Sequence, residues 1–104
     1  MIRNEKILLC CAAGMSTSLL VNKMKAEAEK RGIEVEIWAE PLDKAKEEFA
    51  KADVVLLGPQ VKYALPEAKK IAEENNINID VINMVDYGMM NGAKVLDQAL
   101  NLIK

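Results

Sequence analysis

The chain contains no histidine, so the usual general base near neutral pH is missing, and with it any catalytic triad built on an imidazole. Its two cysteines, Cys10 and Cys11, are adjacent, which rules out a framework of bridges and leaves no CxxC or Cys/His metal spacing. A vicinal disulfide between them is strained. This usage suits a reducing compartment, and no metal or other cofactor is expected. Aromatics make up only 4% of the residues, too few for the stacking platforms that single-stranded nucleic acid needs. Lys plus Arg total 14 against 16 for Asp plus Glu, with no dense basic block, so nucleic acid is not an expected partner. No run approaches the ~20 apolar residues that cross a membrane. Arg3 and Lys6 ahead of a short apolar run imitate a signal peptide, but cleavage after Ala13 would delete the first strand, so a cytoplasmic location is expected.

What is present is a length of 104 residues with 51% hydrophobic composition, sufficient for one self-supporting domain spanning 1–104. An apolar run from Ile7 to Cys10 reads as a strand and is followed by a helix from about Ser16 to Arg31, with Leu20, Val21, Met24 and Ala28 inward and Gly32 as its stop. Ile33, Val35 and Ile37 alternate with Glu34, Glu36 and Trp38 as an edge strand. Pro41 opens a second helix carrying Leu42, Ala45, Phe49 and Ala52 inward. Val54 to Leu57 is a continuous apolar run, as in a parallel strand covered on both faces. A third helix runs from Pro66 to about Asn75, with Leu65, Ala68 and Ala72 inward, and a fourth strand is expected over Ile79 to Met84. A loop follows from Asp86 to Gly92, and a last helix from Ala93 to Ile103 presents Val95, Leu96, Ala99 and Ile103 to the core. The order βαβαβαβα predicts an α/β fold, a small open four-stranded parallel sheet with helices on both faces, of strand order 2-1-3-4 if the first strand is central. Such a sheet binds ligands beyond the carboxyl ends of its strands, where the strand order reverses.

The stretch at that reversal is Lys6 to Leu20. A strand ends in Cys11, passes through Ala12, Ala13, Gly14 and Met15, and reaches Ser16, Thr17 and Ser18 at a helix start. Consecutive N–H groups in such a loop, with the positive end of the helix behind them, form a concave anion site that fits a phosphate and favours thiolate over thiol at Cys11. The hydroxyls of Ser16, Thr17 and Ser18 are equally a helix-capping group, and Cys11 is equally a packed strand-end thiol. Cys10, one position earlier, points to the other face and reads as core. Gln60, Tyr63 and Asp86 lie on segments that reach the same end. Of the methionines, Met24 and Met84 read as core filler, whereas Met15, Met89 and Met90 fall on loops at the site, where beside Tyr63 and Val61 they read either as plain packing or as an adaptable docking surface.

Rival phosphate and cofactor folds are tested by residue type, and a phosphatase or arsenate-reductase-like enzyme and a flavin-binding module stay open as alternatives. A response-receiver domain needs an aspartate where this chain has Leu57 and Gly58, and a dinucleotide fold needs GxGxxG where only Gly14 is present. A flavin-binding module would use a similar hydroxyl-rich loop but needs aromatics to sandwich the flavin. A low-molecular-weight tyrosine phosphatase or arsenate reductase would place an arginine fork at the sixth residue after its cysteine, and here that residue is Thr17. Without the guanidinium, water attack on a phosphorylated Cys11 is poorly assisted. The loop is built to carry a phosphoryl group and ill equipped to hydrolyse it.

The run CAAGMSTSLLVNKM (Cys11 to Met24), with ADVVLLGPQVKY (Ala52 to Tyr63) and the ALPE start of the third helix, resembles the IIB component of the bacterial sugar phosphotransferase system, lactose/cellobiose (chitobiose) class. The similarity spans essentially the whole chain. It implies a single IIB-type domain over 1–104 with a flavodoxin-like, low-molecular-weight-phosphatase-like fold. It implies that Cys11 takes a phosphoryl group from a phosphohistidine on a IIA partner and passes it to a sugar held by a membrane-embedded IIC partner, with phosphate ligated by the loop from Ala12 to Ser18. Gln60, Tyr63 and Met89 are then candidate partner contacts.

Overall fold

The computed structural model describes residues 5–11 and 15–103, and for Met15, Ser16 and Thr17 the backbone only. The elements follow in order as β1 (Glu5–Cys11), α1 (Met15–Lys30), β2 (Val35–Pro41), α2 (Leu42–Glu48), β3 (Val54–Leu57), α3 (Leu65–Glu74), β4 (Asn78–Val81), α4 (Met84–Gly88) and α5 (Gly92–Ile103), with 3₁₀ turns at Phe49–Lys51 and Pro59–Ala64. The strands pair in parallel in the order β2-β1-β3-β4, as the alternation of strands and helices predicts.

β1 is central and its five residues from Ile7 to Cys11 are all buried. Alternation along the strand sends Ile7 and Leu9 into one layer, with Leu20, Met24, Leu96 and Ala99 of α1 and α5, and Leu8 and Cys10 into the other, with Ala45, Phe49, Ala68 and Ala72. Helices therefore cover both faces of the sheet. The inward residues expected for α1, Leu20, Val21, Met24 and Ala28, are all buried, as are Val95, Leu96 and Ala99 of α5.

Three helices end in the same way, with a residue at positive φ and a pair of crossed backbone bonds. After α1 it is Gly32 (φ 70°), with Ile33 N–H donating to Ala28 O at 2.9 Å and Gly32 N–H to Glu29 O at 3.1 Å. After α3 it is Asn76 (φ 57°), and after α4 it is Met90 (φ 52°), where Asn91 N–H donates to Asp86 O at 2.8 Å.

Several expectations from the sequence are corrected. The edge strand is Val35–Pro41 and not Ile33 to Trp38, because the crossed bonds at Gly32 and Ile33 complete the helix end before the strand begins; Pro41 both closes the strand and stands at the N-cap of α2, as expected for the residue that opens that helix. The Trp38 indole N–H then bonds the Glu48 carboxylate at 3.0 Å and ties this edge to α2. The fourth strand stops at Val81, and Met84 to Gly88, placed partly in that strand and partly in a loop, form α4. Asn83 caps it by accepting from Val85 N–H at 2.9 Å and Asp86 N–H at 3.2 Å. Met84, expected in the core, is 64% exposed because it is the first residue of that helix, on its outer side.

Candidate phosphoryl-transfer site

The two adjacent cysteines are separated by the pleat of β1. Cys10 is fully buried in the layer with Phe49, Leu57 and Val61, and burial, with the neighbouring Cys11 second, pushes its thiol up to about 12. It stays protonated at any physiological pH and has no access to solvent. Cys11, next along the strand, turns to the opposite face at the carboxyl end of the sheet. Its side chain is also covered, 1% exposed, and its sulfur lies 3.6 Å from the carbonyl oxygen of Glu40, to which the S–H donates. Of the two readings open for Cys11, a nucleophile over an anion site and a packed strand-end thiol, this conformation has the sulfur covered, its proton engaged by the backbone of β2.

Ala12, Ala13 and Gly14 of the expected phosphate loop lie outside the described residues, as do the side chains of Met15, Ser16 and Thr17. The helix starts at Met15, one residue earlier than expected, so Ser16, Thr17 and Ser18 stand within the first turn and not at the capping position. The N–H groups of Met15, Ser16 and Thr17 consequently have no acceptor within the helix itself. They sit at the positive end of the dipole of a helix of 16 residues that begins four positions after Cys11. Ser18 is exposed.

The neighbouring strand contributes the second wall. Gly58 N–H donates to the Cys10 carbonyl at 2.8 Å, which fixes the peptide leading into Cys11. A Cβ on Gly58 would stand 3.3 Å from that same oxygen and 2.6 Å from Gln60 Oε1, so the Gln60 side chain occupies the space that the glycine leaves. Gln60 Nε2 donates to the Tyr87 hydroxyl at 2.9 Å. Tyr87, which the sequence pattern gave no reason to select, is 8% exposed and packs with the core of the α1 and α5 layer.

Around this end stand exposed apolar side chains on segments that leave the carboxyl edge of the sheet: Tyr63 after β3, Met84, Val85 and Met89 on and after α4, and Leu19 near the start of α1. Val61, expected on this surface, is instead buried at 1% in the opposite layer, because its backbone departs from helical geometry (φ −116°, ψ 22°) within the turn. Met90 is partly buried against the core. Asp86 lines a shallow groove of about 430 Å³ with Asn83, Lys94, Asp97, Gln98 and Asn101, between α4 and α5. The wider groove of about 570 Å³, at Lys25, Glu29, Ile33 and Val35, is at the amino end of the strands, away from Cys11. Among the described residues no cluster of three or more His, Cys, Asp or Glu side chains is arranged to hold a metal ion.

A sequence model of the lactose/cellobiose-specific IIB subunits of the phosphotransferase system matches residues 6–98. The chain belongs to that family. It is 54% identical over 99 residues to the oligo-beta-mannoside-specific EIIB component of Bacillus subtilis, covering 95% of this chain and 96% of that one. It is 49% identical to both the galactose-specific EIIB component of Lactococcus lactis subsp. cremoris and the cellobiose-specific one of L. lactis subsp. lactis, over 96% of this chain and 97% of each. The lactose-specific IIB domain of Streptococcus pneumoniae superposes with a TM-score of 0.88 at 22% identity, over 98% of this chain and all of that one, which speaks to the fold. The cellobiose-specific IIB protein of Borrelia burgdorferi superposes at 0.81 with 40% identity, over 97% of this chain and 93% of that one. As a IIB subunit the chain is a phosphotransferase of sugar transport. No helix among the described residues is long and apolar enough to cross a membrane.

Proposed function

We propose that this IIB subunit, acting as one unit over 1–104 in the cytoplasm, carries a phosphoryl group on Cys11, received from a phosphohistidine of a IIA partner and delivered to a sugar held by a membrane-embedded IIC partner. The observation that carries this reading is the contrast between the two thiols. Cys10 is sealed in a helix-covered layer with its thiol raised to about 12, whereas Cys11, covered by contact with the Glu40 carbonyl, is the last residue of the central strand, four positions before α1 begins. The thiolate of Cys11 attacks phosphorus in line as the imidazole leaves; the new S–P bond then breaks as a sugar hydroxyl attacks from the acceptor side. The loop Ala12 to Ser18, through backbone N–H groups at the positive end of α1, holds the dianion between the two steps.

Because Cys11 is covered in the thiol form, transfer requires its sulfur to leave the Glu40 carbonyl and come within reach of the donor phosphorus. Tyr63, Met84, Val85 and Met89 form the apolar rim against which the two partners dock in turn, with Gln60, itself exposed and bonded to Tyr87, as a further contact. The sugar is selected by the partner that holds it, in keeping with relatives named for different sugars at similar identity.

The test is incubation with the phosphorylated upstream subunit followed by intact mass measurement. A gain of about 80 Da is expected for one phosphoryl group. It is lost in Cys11→Ser and kept in Cys10→Ala. A gain that persists in Cys11→Ser, or rapid turnover of an aryl phosphate without partners, overturns the carrier reading in favour of another acceptor residue or a phosphatase.

A further inference from the structure

We propose that the Gln60–Tyr87 hydrogen bond is a latch that sets the spacing of the two apolar halves of the docking rim, which makes Gln60 a positioning residue for transfer; the inference rests on the carrier reading above. The two halves sit on segments with little stability of their own. Tyr63 belongs to the 3₁₀ turn Pro59–Ala64, interrupted by the non-helical backbone of Val61, and Met84 and Val85 belong to α4, a helix of five residues. Isolated helical turns this short do not persist in water, so their relative position depends on what they are tied to.

Each side of the latch is anchored differently. Tyr87 is held by its ring, buried with the α1 and α5 layer, so its hydroxyl is a fixed point. Gln60 is held by an absence: Gly58 leaves the space that Gln60 Oε1 fills, and any side chain there would meet it at 2.6 Å. Gly58 is itself bonded to the Cys10 carbonyl, so the latch is referenced to the peptide that carries Cys11. The amide therefore couples three things, namely the end of β1, the turn bearing Tyr63 and the helix bearing Met84 and Val85. Among the described residues the amide bonds Tyr87 and not Cys11, whose sulfur meets the Glu40 carbonyl, so its loss is expected to act on partner recognition and not on the chemical step.

Tyr87→Phe removes the hydroxyl and keeps the buried ring, and Gln60→Ala removes the donor. With the phosphorylated upstream subunit as varied substrate, each variant is expected to raise KM roughly 3- to 10-fold, the worth of one partly buried hydrogen bond, with kcat unchanged. The double variant is expected to fall well short of the product of the two single effects, since the Gln60–Tyr87 bond is common to both. Thermal unfolding is followed in parallel for all three. A KM unchanged from wild type, a fall in kcat instead of a rise in KM, additive effects in the double variant, or a KM that moves only in step with unfolding overturns the latch. If the wild-type chain accepts no phosphoryl group, the carrier reading falls and the latch with it. If the wild type is phosphorylated normally and the variants match it, the latch alone falls.

Discussion

The sulfur of Cys11 stands 3.6 Å from the carbonyl oxygen of Glu40, at the point where the parallel register sets Cys11 beside Pro41. A thiol gives its proton to that oxygen; a thiolate or a phosphorylated sulfur has none to give and meets the negative end of the carbonyl dipole instead. The contact thus belongs to the resting thiol. Phosphorylation of Cys11 is expected to free the Glu40 carbonyl, seen as a change in its carbonyl carbon chemical shift between free and phosphorylated protein. Cys11→Ser, whose hydroxyl donates to the same oxygen, is expected to leave that shift close to the unphosphorylated value. An unchanged Glu40 signal in protein whose mass shows a phosphoryl group on Cys11 would contradict this account of the two states.

Cys10 makes an alkaline prediction with a definite sign. Burial first, and the adjacent Cys11 second, raise its thiol to about 12 in the folded chain. An unfolded chain releases the same proton near its ordinary value of about 8.5. Below that value both states keep the proton and the contribution to stability is complete. Between it and about 12 the unfolded state alone loses the proton, so stability falls as pH rises. Urea unfolding across this window should give a slope steeper in wild type than in Cys10→Ala, by up to ~1.4 kcal/mol per pH unit. Parallel slopes would mean that the Cys10 site admits water when the protein is folded.

Gly92 lies close against the backbone of α1. A Cβ there would stand 2.6 Å from the Lys23 carbonyl carbon, 2.8 Å from its oxygen and 2.8 Å from Met24 N, all backbone atoms of α1 with little freedom to yield. Gly92→Ala gains helix propensity but must push the two helices apart, and overpacking of this kind costs ~1–3 kcal/mol. A lower denaturation midpoint is expected, with phosphorylation of the folded fraction unchanged, since the contact lies away from Cys11. A midpoint equal to wild type would show that α5 shifts without loss.

The residues also explain which parts of this molecule were legible from sequence. The buried strands were legible because Val54 to Leu57 has no polar face to expose and the run from Ile7 to Cys10 is apolar throughout, and placing the first strand of the chain at the centre gave the order 2-1-3-4. Gly32 announced its helix end because glycine tolerates positive φ, and the third helix, read as ending near Asn75, closes at Asn76 in the same conformation. α4 was missed for the mirror-image reason. Its closing residue at positive φ is Met90, a side chain that gives no such signal, and its five residues are too few for periodicity to register. Missing that helix misplaced Met84 and hid Tyr87. The Gln60–Tyr87 bond joins residues 27 apart and could be read only once α4 was in place. Cys11 itself was legible from its position between a strand and a helix start, but its burial against Glu40 was not, because that contact depends on how β2 extends to Pro41.

Asn83 offers the most direct way to loosen α4 without touching its exposed face. Its side-chain oxygen accepts from Val85 N–H at 2.9 Å and Asp86 N–H at 3.2 Å, and a helix of five residues has few other bonds to hold its first turn. Asn83→Ala removes both, at a cost of ~0.5–2 kcal/mol for a lost cap, whereas Asn83→Asp or Asn83→Ser keeps an acceptor in place. Because α4 is a peripheral segment, much of that cost is expected as local opening and not as global unfolding. Amide hydrogen exchange at Tyr87 and Met89, which donate to Asn83 O and Val85 O, should speed up in the alanine variant while the amides of β1 and β3 keep their protection. The same variant should weaken transfer from the upstream subunit through KM, and the aspartate or serine variant should restore it. Faster exchange with no change in KM would separate the order of α4 from partner docking and remove Met84 and Val85 from the rim.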